Sequence, residues 1–287
     1  MADPKIGIAL GSGGAKGLAH ILILEALEEA GVRASCVTGA SAGALIGGLY
    51  CSGIPAKNLR EVMGDLSGVR LRKEESFAAQ LTGDLLGLAG KLDLDLGSGG
   101  LIKGDRFFYG YYDHMHARHF HELDIPLRVV TADFWAREPV IFEKGLIGPA
   151  MRATVAMPGL LPAVQHEGRV LVDGGMVNPV PFDLLDDDCD LTIGVNVMGR
   201  RKPDGEDAEL PGLSESVANG YQILMNALLR EKLERGRPDI FIEPDLVNVQ
   251  VMDLYRASEI YERSEPAKEE FKRKLGDALS LWRGEPG

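Results

Sequence analysis

Three features are scarce in this 287-residue sequence, and each scarcity excludes a class of protein. Only three cysteines occur, Cys36, Cys51 and Cys189, and they lack the spacing of a zinc site or a disulfide framework. Basic residues are outnumbered, 31 Lys and Arg against 43 Asp and Glu, and the net charge of −12 argues against a nucleic-acid partner. No apolar run reaches the roughly 20 residues of a membrane-spanning helix. The remaining composition is that of a soluble globular protein.

The start of the chain lacks the basic and apolar regions and the cleavage site of a secretory signal. Together with the isolated cysteines, this favours reduced thiols and a cytoplasmic location. The negative charge disfavours electrostatic docking on anionic lipid and leaves open only a transient contact with a membrane surface. The length permits one or two domains, and we predict a single α/β domain over residues 1–287.

Residues 39–43 form the pentapeptide GASAG, between a strand-like segment at 34–38 and a helix-like run at 44–51. Strand, sharp turn and helix are the setting of a nucleophile elbow, which raises the hydroxyl of its central serine, here Ser41, above a sheet. Ser41 would lie at a helix N-terminus, where the helix dipole favours developing negative charge. A tight turn with an incidental serine is the alternative.

A glycine-rich loop, Gly11–Gly17, follows a predicted strand at 6–10 and precedes a predicted helix at 18–30. It fits nucleotide-binding fingerprints poorly, because Lys16 takes the place of the last glycine of the dinucleotide motif and the order of a P-loop is absent. The loop could instead form an oxyanion hole, since Gly13 and Gly14 can turn successive N–H groups towards one point. A plain strand-to-helix turn and a nucleotide-binding module stay as alternatives.

The tripeptide Asp173-Gly174-Gly175 closes a strand predicted over 170–172. Asp-Gly is a favoured turn pair, so a simple turn is one interpretation. Two prolines soon afterwards disfavour a following partner strand. An aspartate at a strand end, beside glycines that give access, is also well placed to act as a base.

The six histidines suggest neither a catalytic partner for the serine nor a metal site. His20, one turn past the glycine loop, is expected to pack or to form a hydrogen bond. Four histidines between 114 and 121 would fall on two faces of a helix, so a partly solvated stretch is favoured over a metal site. His166 lies in a polar turn and is expected to be exposed. We therefore predict no metal and no cofactor. The four histidines between 114 and 121 are His114, His116, His119 and His121.

Strands and helices alternate along the chain, which predicts a parallel sheet with helices on its faces. The Leu-rich segment 77–96 is either a packed helix pair, which we favour, or an apolar flap over a lipid-binding mouth. Further strands are predicted over 127–132, 139–142, 191–197 and 239–242, and further helices over 147–156, 213–235 and 252–283.

The three motifs, at 11–17, 39–43 and 173–175, occur in an order that resembles the patatin-like phospholipase family. The segments 6–20 and 154–158 are also similar to that family, and the resemblance covers roughly residues 5–200. It implies a three-layer α/β/α fold with a mostly parallel central sheet and helices on both faces. The C-terminal helices and strand of 201–287 would pack on the same domain.

The resemblance implies a hydrolase of fatty-acyl esters of phospholipids or lysophospholipids that needs no cofactor. Ser41 would be the nucleophile, Asp173 the base in place of a histidine, and Gly13 and Gly14 the oxyanion donors. The chain departs from the family where Ser12 replaces the first glycine of the usual GxGxxG pattern. Lys16 stands where arginine is common, which keeps the charge but loses the planar fork. A regulatory or scaffold protein with a vestigial site is the alternative. The motif-supporting residues are Gly11, Ser12, Ala15, Lys16, Gly17, Gly39, Gly43, Gly174 and Gly175.

Overall fold

The computed structural model describes residues 4–67, 105–185, 189–202, 210 and 213–284. Within these residues one mixed sheet of eight strands forms the centre of the fold. The strands are β1 (Ile6–Leu10), β2 (Cys36–Ala40), β3 (Leu127–Asp133), β4 (Glu138–Phe142), β5 (Val164–His166), β6 (Arg169–Asp173), β7 (Leu191–Val195) and β8 (Ile240–Ile242).

Helices connect most of these strands. In the described part of the chain they are α1 (Ala19–Glu29), α2 (Ala42–Cys51), α3 (Ala56–Ser67), α4 (Asp105–His114), α5 (Ile147–Thr154), α6 (Leu213–Arg235) and α7 (Ala257–Arg283). None of the described helices is both long enough and apolar enough to cross a membrane.

The sheet is parallel through its central part and antiparallel at one side. Its strand order is β5-β6-β3-β2-β1-β7-β8, and β4 pairs separately with β3. The run β3-β2-β1-β7-β8 is parallel throughout, whereas β4, β5 and β6 join by antiparallel pairing. Parallel strands need crossover connections, and the helices of the chain supply them. The predicted α/β fold with a mostly parallel sheet is therefore confirmed.

Alternating side chains of β1 show that both faces of the sheet are covered. Ile6, Ile8 and Leu10 belong to a large core that includes buried residues of α1, α2 and α7. Ala9 points the other way, into a second cluster that contains Leu229 of α6. Because successive side chains of a strand point to opposite faces, helices lie on both sides of the sheet. This is the three-layer arrangement expected from the sequence.

Several local features differ from the prediction. Strand β2 lies at 36–40 rather than 34–38, because its pairing with β1 runs from Cys36 to Gly39 and brings the strand up to the serine. The sequence analysis predicted no helix over 56–67 or 105–114, where α3 and α4 lie. Helix α3 buries an apolar stripe at helical spacing, formed by Leu59, Val62, Met63 and Leu66.

A hairpin between β5 and β6 was also missed. Its two turn residues, Glu167 and Gly168, both have positive φ, 47° and 77°, as a type I′ turn requires. His166 is consequently not an exposed turn residue but a partly buried strand residue whose ring lies 5.3 Å from that of Phe142. The proposed flap or helix pair at 77–96 lies outside the described residues.

Candidate active site

The site forms where two strands end on the same edge of β3. Because β4 occupies the other edge, β2 and β6 share this one. Strand β2 runs parallel to β3 and ends with Ala40 opposite Val130, whereas β6 runs antiparallel and ends with Asp173 opposite Thr131. The two ends meet at adjacent positions of β3. Ser41, the next residue after β2, is thereby brought to Asp173.

Ser41 occupies a strained turn between β2 and α2. Its φ of 52° and ψ of −125° lie where a residue with a side chain is uncommon. Helix α2 begins at once with Ala42, so the Ser41 side chain stands at the N-terminus of the helix. The turn is crowded, since a Cβ on Gly43 would lie 2.1 Å from the carbonyl oxygen of Leu10. Only glycine fits there, and the geometry is that of a nucleophile elbow.

The hydroxyl of Ser41 donates a hydrogen bond of 2.7 Å to Oδ2 of Asp173. The other carboxylate oxygen, Oδ1, accepts 2.7 Å from the N–H of Gly175. Both side chains are buried, each residue being 8% exposed. Burial raises the pKa of the Asp173 carboxyl to about 6, although the hydrogen bonds from Ser41 and Gly175 act in the opposite direction. A carboxylate tuned in this way is a far better proton acceptor near neutral pH than a free aspartate.

The glycine loop lies beside this pair, and two of its N–H groups make no backbone hydrogen bond in the described part of the chain. The N–H of Ser12 donates to Pro179 O at 2.8 Å, and that of Ala15 donates to Val251 O at 2.8 Å. Between them, the N–H groups of Gly13 and Gly14 have no backbone acceptor among the residues that the structure describes. Gly14 has a φ of +59° and packs against Val251, where a Cβ would lie 2.5 Å from the valine side chain. The loop can therefore present two successive amide donors.

Two buried basic side chains fix the glycine loop from behind. Lys16 is fully buried, and its Nζ donates to Val249 O at 3.2 Å. Burial lowers the pKa of Lys16 to about 8, with the charge of Asp253 opposing the shift. His20 Nε2 lies 2.8 Å from Gly11 O, and burial lowers the pKa of its ring to about 4, so the neutral ring donates to that carbonyl. The hydrogen-bonding interpretation of His20 is confirmed.

The other motif residues frame the site. Gly11 pairs through its N–H with Val195 O at the end of β7. Gly17 lies in the short 3₁₀ turn at 14–18 and packs on Ala42. Gly39 lies in β2, and Gly174 begins a 3₁₀ turn after β6.

Thr154, the last residue of α5, holds the junction of the two strands. Its Oγ1 accepts from the N–H of Ser41 at 2.9 Å and donates to Val130 O at 2.6 Å. Thr154 therefore links the backbone of Ser41 to Val130 of β3, next to the position where β2 ends and β6 begins to pair with β3. The sequence analysis noted the segment 154–158 but gave this threonine no role. The sequence shows only a threonine just before an apolar turn, and no periodic pattern distinguishes such a residue.

We expect Thr154→Val to destabilise the fold by about 2–4 kcal/mol, because it leaves the Ser41 N–H and the Val130 carbonyl buried without a partner. The substitution is nearly isosteric, so packing changes little. Chemical denaturation measures the loss. Thr38→Val is a matched control, since Thr38 is equally buried and its hydroxyl bonds only to Pro181 O. A Thr154 variant no less stable than the Thr38 variant would contradict this role.

A largely apolar cavity of about 190 Å³ opens beside the serine. It is bordered at one end by Ser41, Asp173 and the glycine loop. Elsewhere aliphatic, methionine and aromatic side chains line it, contributed by α2, α3, α4 and α6 and by the loops around residues 160 and 252. The lining includes Leu45, Met63, Phe108, Leu160, Met225 and Met252. Such a cavity suits a flexible hydrocarbon chain rather than a charged ligand.

The histidine-rich segment does not form one helix. Helix α4 ends at His114, and the later histidines lie in the following loop and in a short 3₁₀ turn. The expectation of two helical faces was therefore wrong. His119 and His121 have ring centroids 5.3 Å apart, and His121 is exposed. Among the described residues, no group of three or more His, Cys, Asp or Glu side chains could hold a metal ion.

The sheet, the strained serine at the start of a helix and the adjacent amide loop define an α/β protein with a nucleophile elbow. Comparison with known proteins identifies the family. Residues 8–186 match the family model described as patatin-like phospholipase. The chain belongs to the patatin-like phospholipase family.

Curated relatives include an uncharacterized NTE family protein of Mycobacterium tuberculosis, 31% identical over 210 residues. That match covers 72% of this chain and 53% of the relative. A lysophospholipase of Kluyveromyces lactis is 26% identical over 285 residues, which covers 91% of this chain and 19% of the yeast protein. The chain thus spans about half, or less, of the length of these relatives. Among solved structures, VipD of Legionella pneumophila matches with a TM-score of 0.49 at 14% identity, over 94% of this chain and 67% of that chain.

Proposed function

We propose that this chain is a serine acyl-ester hydrolase that cleaves fatty-acyl esters of phospholipids or lysophospholipids through a Ser41–Asp173 dyad. One observation carries the proposal. The hydroxyl of the strained serine donates at 2.7 Å to a buried carboxylate whose pKa is raised to about 6, at the end of an apolar cavity. Membership of the patatin-like phospholipase family and the name of the yeast relative, a lysophospholipase, support a lipid ester as substrate.

In the first half of the reaction, Ser41 Oγ attacks the ester carbonyl carbon while Asp173 takes the hydroxyl proton. The carbonyl oxygen becomes an oxyanion, which accepts hydrogen bonds from the N–H groups of Gly13 and Gly14. The helix N-terminus behind Ser41 adds a favourable dipole. Collapse breaks the bond to the leaving alcohol, which takes the proton from Asp173, and the acyl group stays on Ser41.

In the second half, a water molecule gives a proton to Asp173 and its oxygen attacks the acyl carbon. Collapse of the second tetrahedral intermediate breaks the ester bond to Ser41, whose oxygen recovers the proton from Asp173. The free fatty acid then leaves. Asp173 thus acts as base and then as acid in each half, and its raised pKa suits both tasks.

The test is hydrolysis of a set of esters by the wild type and by Ser41→Ala. p-Nitrophenyl esters of increasing chain length report the acyl preference, and lysophosphatidylcholine and phosphatidylcholine report the lipid class. We expect Ser41-dependent release of fatty acid. Esters with longer acyl chains should be preferred over the acetyl ester because the cavity is apolar. A folded wild type that hydrolyses none of these esters would favour the alternative of a regulatory or scaffold protein with a vestigial site.

The activity should depend on pH through Asp173. Because the carboxylate must be ionised to accept the serine proton, kcat/KM should rise with pH and level off above a midpoint near the Asp173 pKa of about 6. The measurement is a profile of kcat/KM from about pH 3 to 8.5 with a neutral ester. A midpoint near 4, the range of an unperturbed aspartate, would show that burial does not tune the base.

A further inference from the structure

Ser12, one of two residues at which the glycine loop departs from the family pattern, has a side chain with no assigned role. Ser12 is only 3% exposed, and its Oγ has no hydrogen-bond partner among the described residues. Its backbone is fixed, because the Ser12 N–H donates to Pro179 O at 2.8 Å. Burying a hydroxyl without a partner is unfavourable, so this one calls for an explanation.

The hydroxyl of Ser12 lies beside the carboxylate of the dyad. A Cβ placed on Gly175 would be 2.3 Å from Ser12 Oγ and 3.1 Å from Asp173 Oδ1, so both oxygens border the same small space beside Gly175. Ser12, Ser41 and Asp173 also line the same cavity. The unpartnered hydroxyl is thus on the Asp173 side of the reaction centre, in a buried residue that borders the cavity.

We propose that Ser12 Oγ, together with Asp173, binds the water that hydrolyses the acyl-enzyme. This inference rests on the proposed function. While Ser41 is free, its hydroxyl occupies Asp173 Oδ2. Once Ser41 carries an acyl group it has no proton to donate, and Oδ2 becomes free to accept one from water. An ordered buried water needs at least two polar partners, and Ser12 supplies the second.

The chemistry of the step assigns a separate task to each group. The water donates one hydrogen to Asp173 and the other to Ser12 Oγ, which leaves an oxygen lone pair for the acyl carbon. Asp173 takes the first proton as the new C–O bond forms, and the proton returns to Ser41 Oγ when the acyl–serine bond breaks. Ser12 neither gains nor loses a proton. It is a positioning residue that acts in deacylation, because in acylation Ser41 itself occupies the base.

The experiment measures the two half-reactions separately. Release of p-nitrophenolate in the first turnover gives the acylation rate with p-nitrophenyl butyrate. For deacylation, the acylated enzyme is separated rapidly from substrate, and decay of the adduct is followed by intact-protein mass. For Ser12→Ala we expect acylation within about twofold of wild type and adduct decay slowed by about tenfold, the effect of one lost hydrogen bond to the reacting water.

Two further variants keep the test decisive. Ser12→Gly removes the same hydroxyl with the residue usual in the family, and should behave like Ser12→Ala. Ser52→Ala is the matched control, since Ser52 is a buried serine at the far end of α2 whose Oγ bonds to Leu49 O outside the cavity lining. It should leave both rates unchanged.

The outcomes that overturn the proposal are distinct. Equal slowing of acylation and deacylation in both Ser12 variants would show that the hydroxyl stabilises the oxyanion or the folded structure and does not bind the water. Unchanged adduct decay would show that Ser12 does not bind the water, while the proposed function stands. Absence of any adduct on Ser41 in the wild type would refute the proposed function and this inference with it.

Discussion

Replacement of Ser41 by alanine is expected to abolish ester hydrolysis, with kcat falling by about 10⁴-fold or more. The physical reason is that the proposed acyl-enzyme forms on the Ser41 hydroxyl, which alanine lacks. Without it, the proposed oxyanion donors, the amides of Gly13 and Gly14, would still bind the transition state and give a small residual rate. The measurement is the steady-state rate with p-nitrophenyl butyrate, at enzyme concentrations high enough to detect the residual rate.

Folding must be shown to survive the substitution. The Ser41 side chain gives one hydrogen bond to Asp173, while the backbone N–H and carbonyl of Ser41 make their own contacts with Thr154 and with α2. Alanine keeps those backbone contacts, so circular dichroism and thermal unfolding should stay close to wild type. A folded Ser41→Ala variant that retains the wild-type rate would contradict the assignment of the nucleophile.

Asp173→Asn is the second substitution with a large expected effect, a fall of about 10³–10⁴-fold in kcat/KM. The amide has nearly the same shape as the carboxyl but cannot take the proton of Ser41. The rise of kcat/KM around pH 6 should disappear with it, because the titrating group is gone. Asp183→Asn offers a control, since Asp183 is a surface carboxylate paired with Lys232 and should leave the rate unchanged. A residual rate that keeps the wild-type midpoint would assign the pH dependence to another group.

The same substitution should stabilise the protein at neutral pH. The folded-state pKa of Asp173, about 6, lies above the unfolded value of 3.8, so its favourable contribution is complete below pH 3.8 and is lost as the pH rises through 6. At pH 8 the buried carboxylate therefore costs about 3 kcal/mol, which asparagine removes. Asp173→Asn should be more stable than wild type at pH 8, and the difference should shrink towards pH 4. Equal stability at both pH values would contradict the raised pKa.

The local setting of the site was predictable because glycine spacing records steric constraints. Gly43 must pass Leu10 O closely, and Gly14 must adopt a positive φ, so both positions leave a signature in the sequence. The apolar run at 6–10 and the helical repeat at 19–29 gave the first strand and helix with small errors. The prediction that Ser41 and Asp173 come together depended on the family resemblance, since nothing local links residues 132 positions apart.

The features that the sequence could not reveal depend on pairing between strands that are far apart in the chain. The end-to-end meeting of β2 and β6 on one edge of β3 is set by the register of three strands, which has no local signal. The role of Thr154 follows from that junction and was missed for the same reason. The β5–β6 hairpin was missed because its turn, Glu167-Gly168, lacks the Asn or Asp that usually marks a type I′ turn.

The most direct test of the account is covalent labelling with a fluorophosphonate, with the modified residue mapped by peptide mass. The account predicts one adduct on Ser41 in the wild type, labelling at least 10²-fold slower in Asp173→Asn, and no adduct in Ser41→Ala. A folded wild type that is not labelled, or is labelled at a different serine, would contradict the claim that Ser41 and Asp173 form an activated pair.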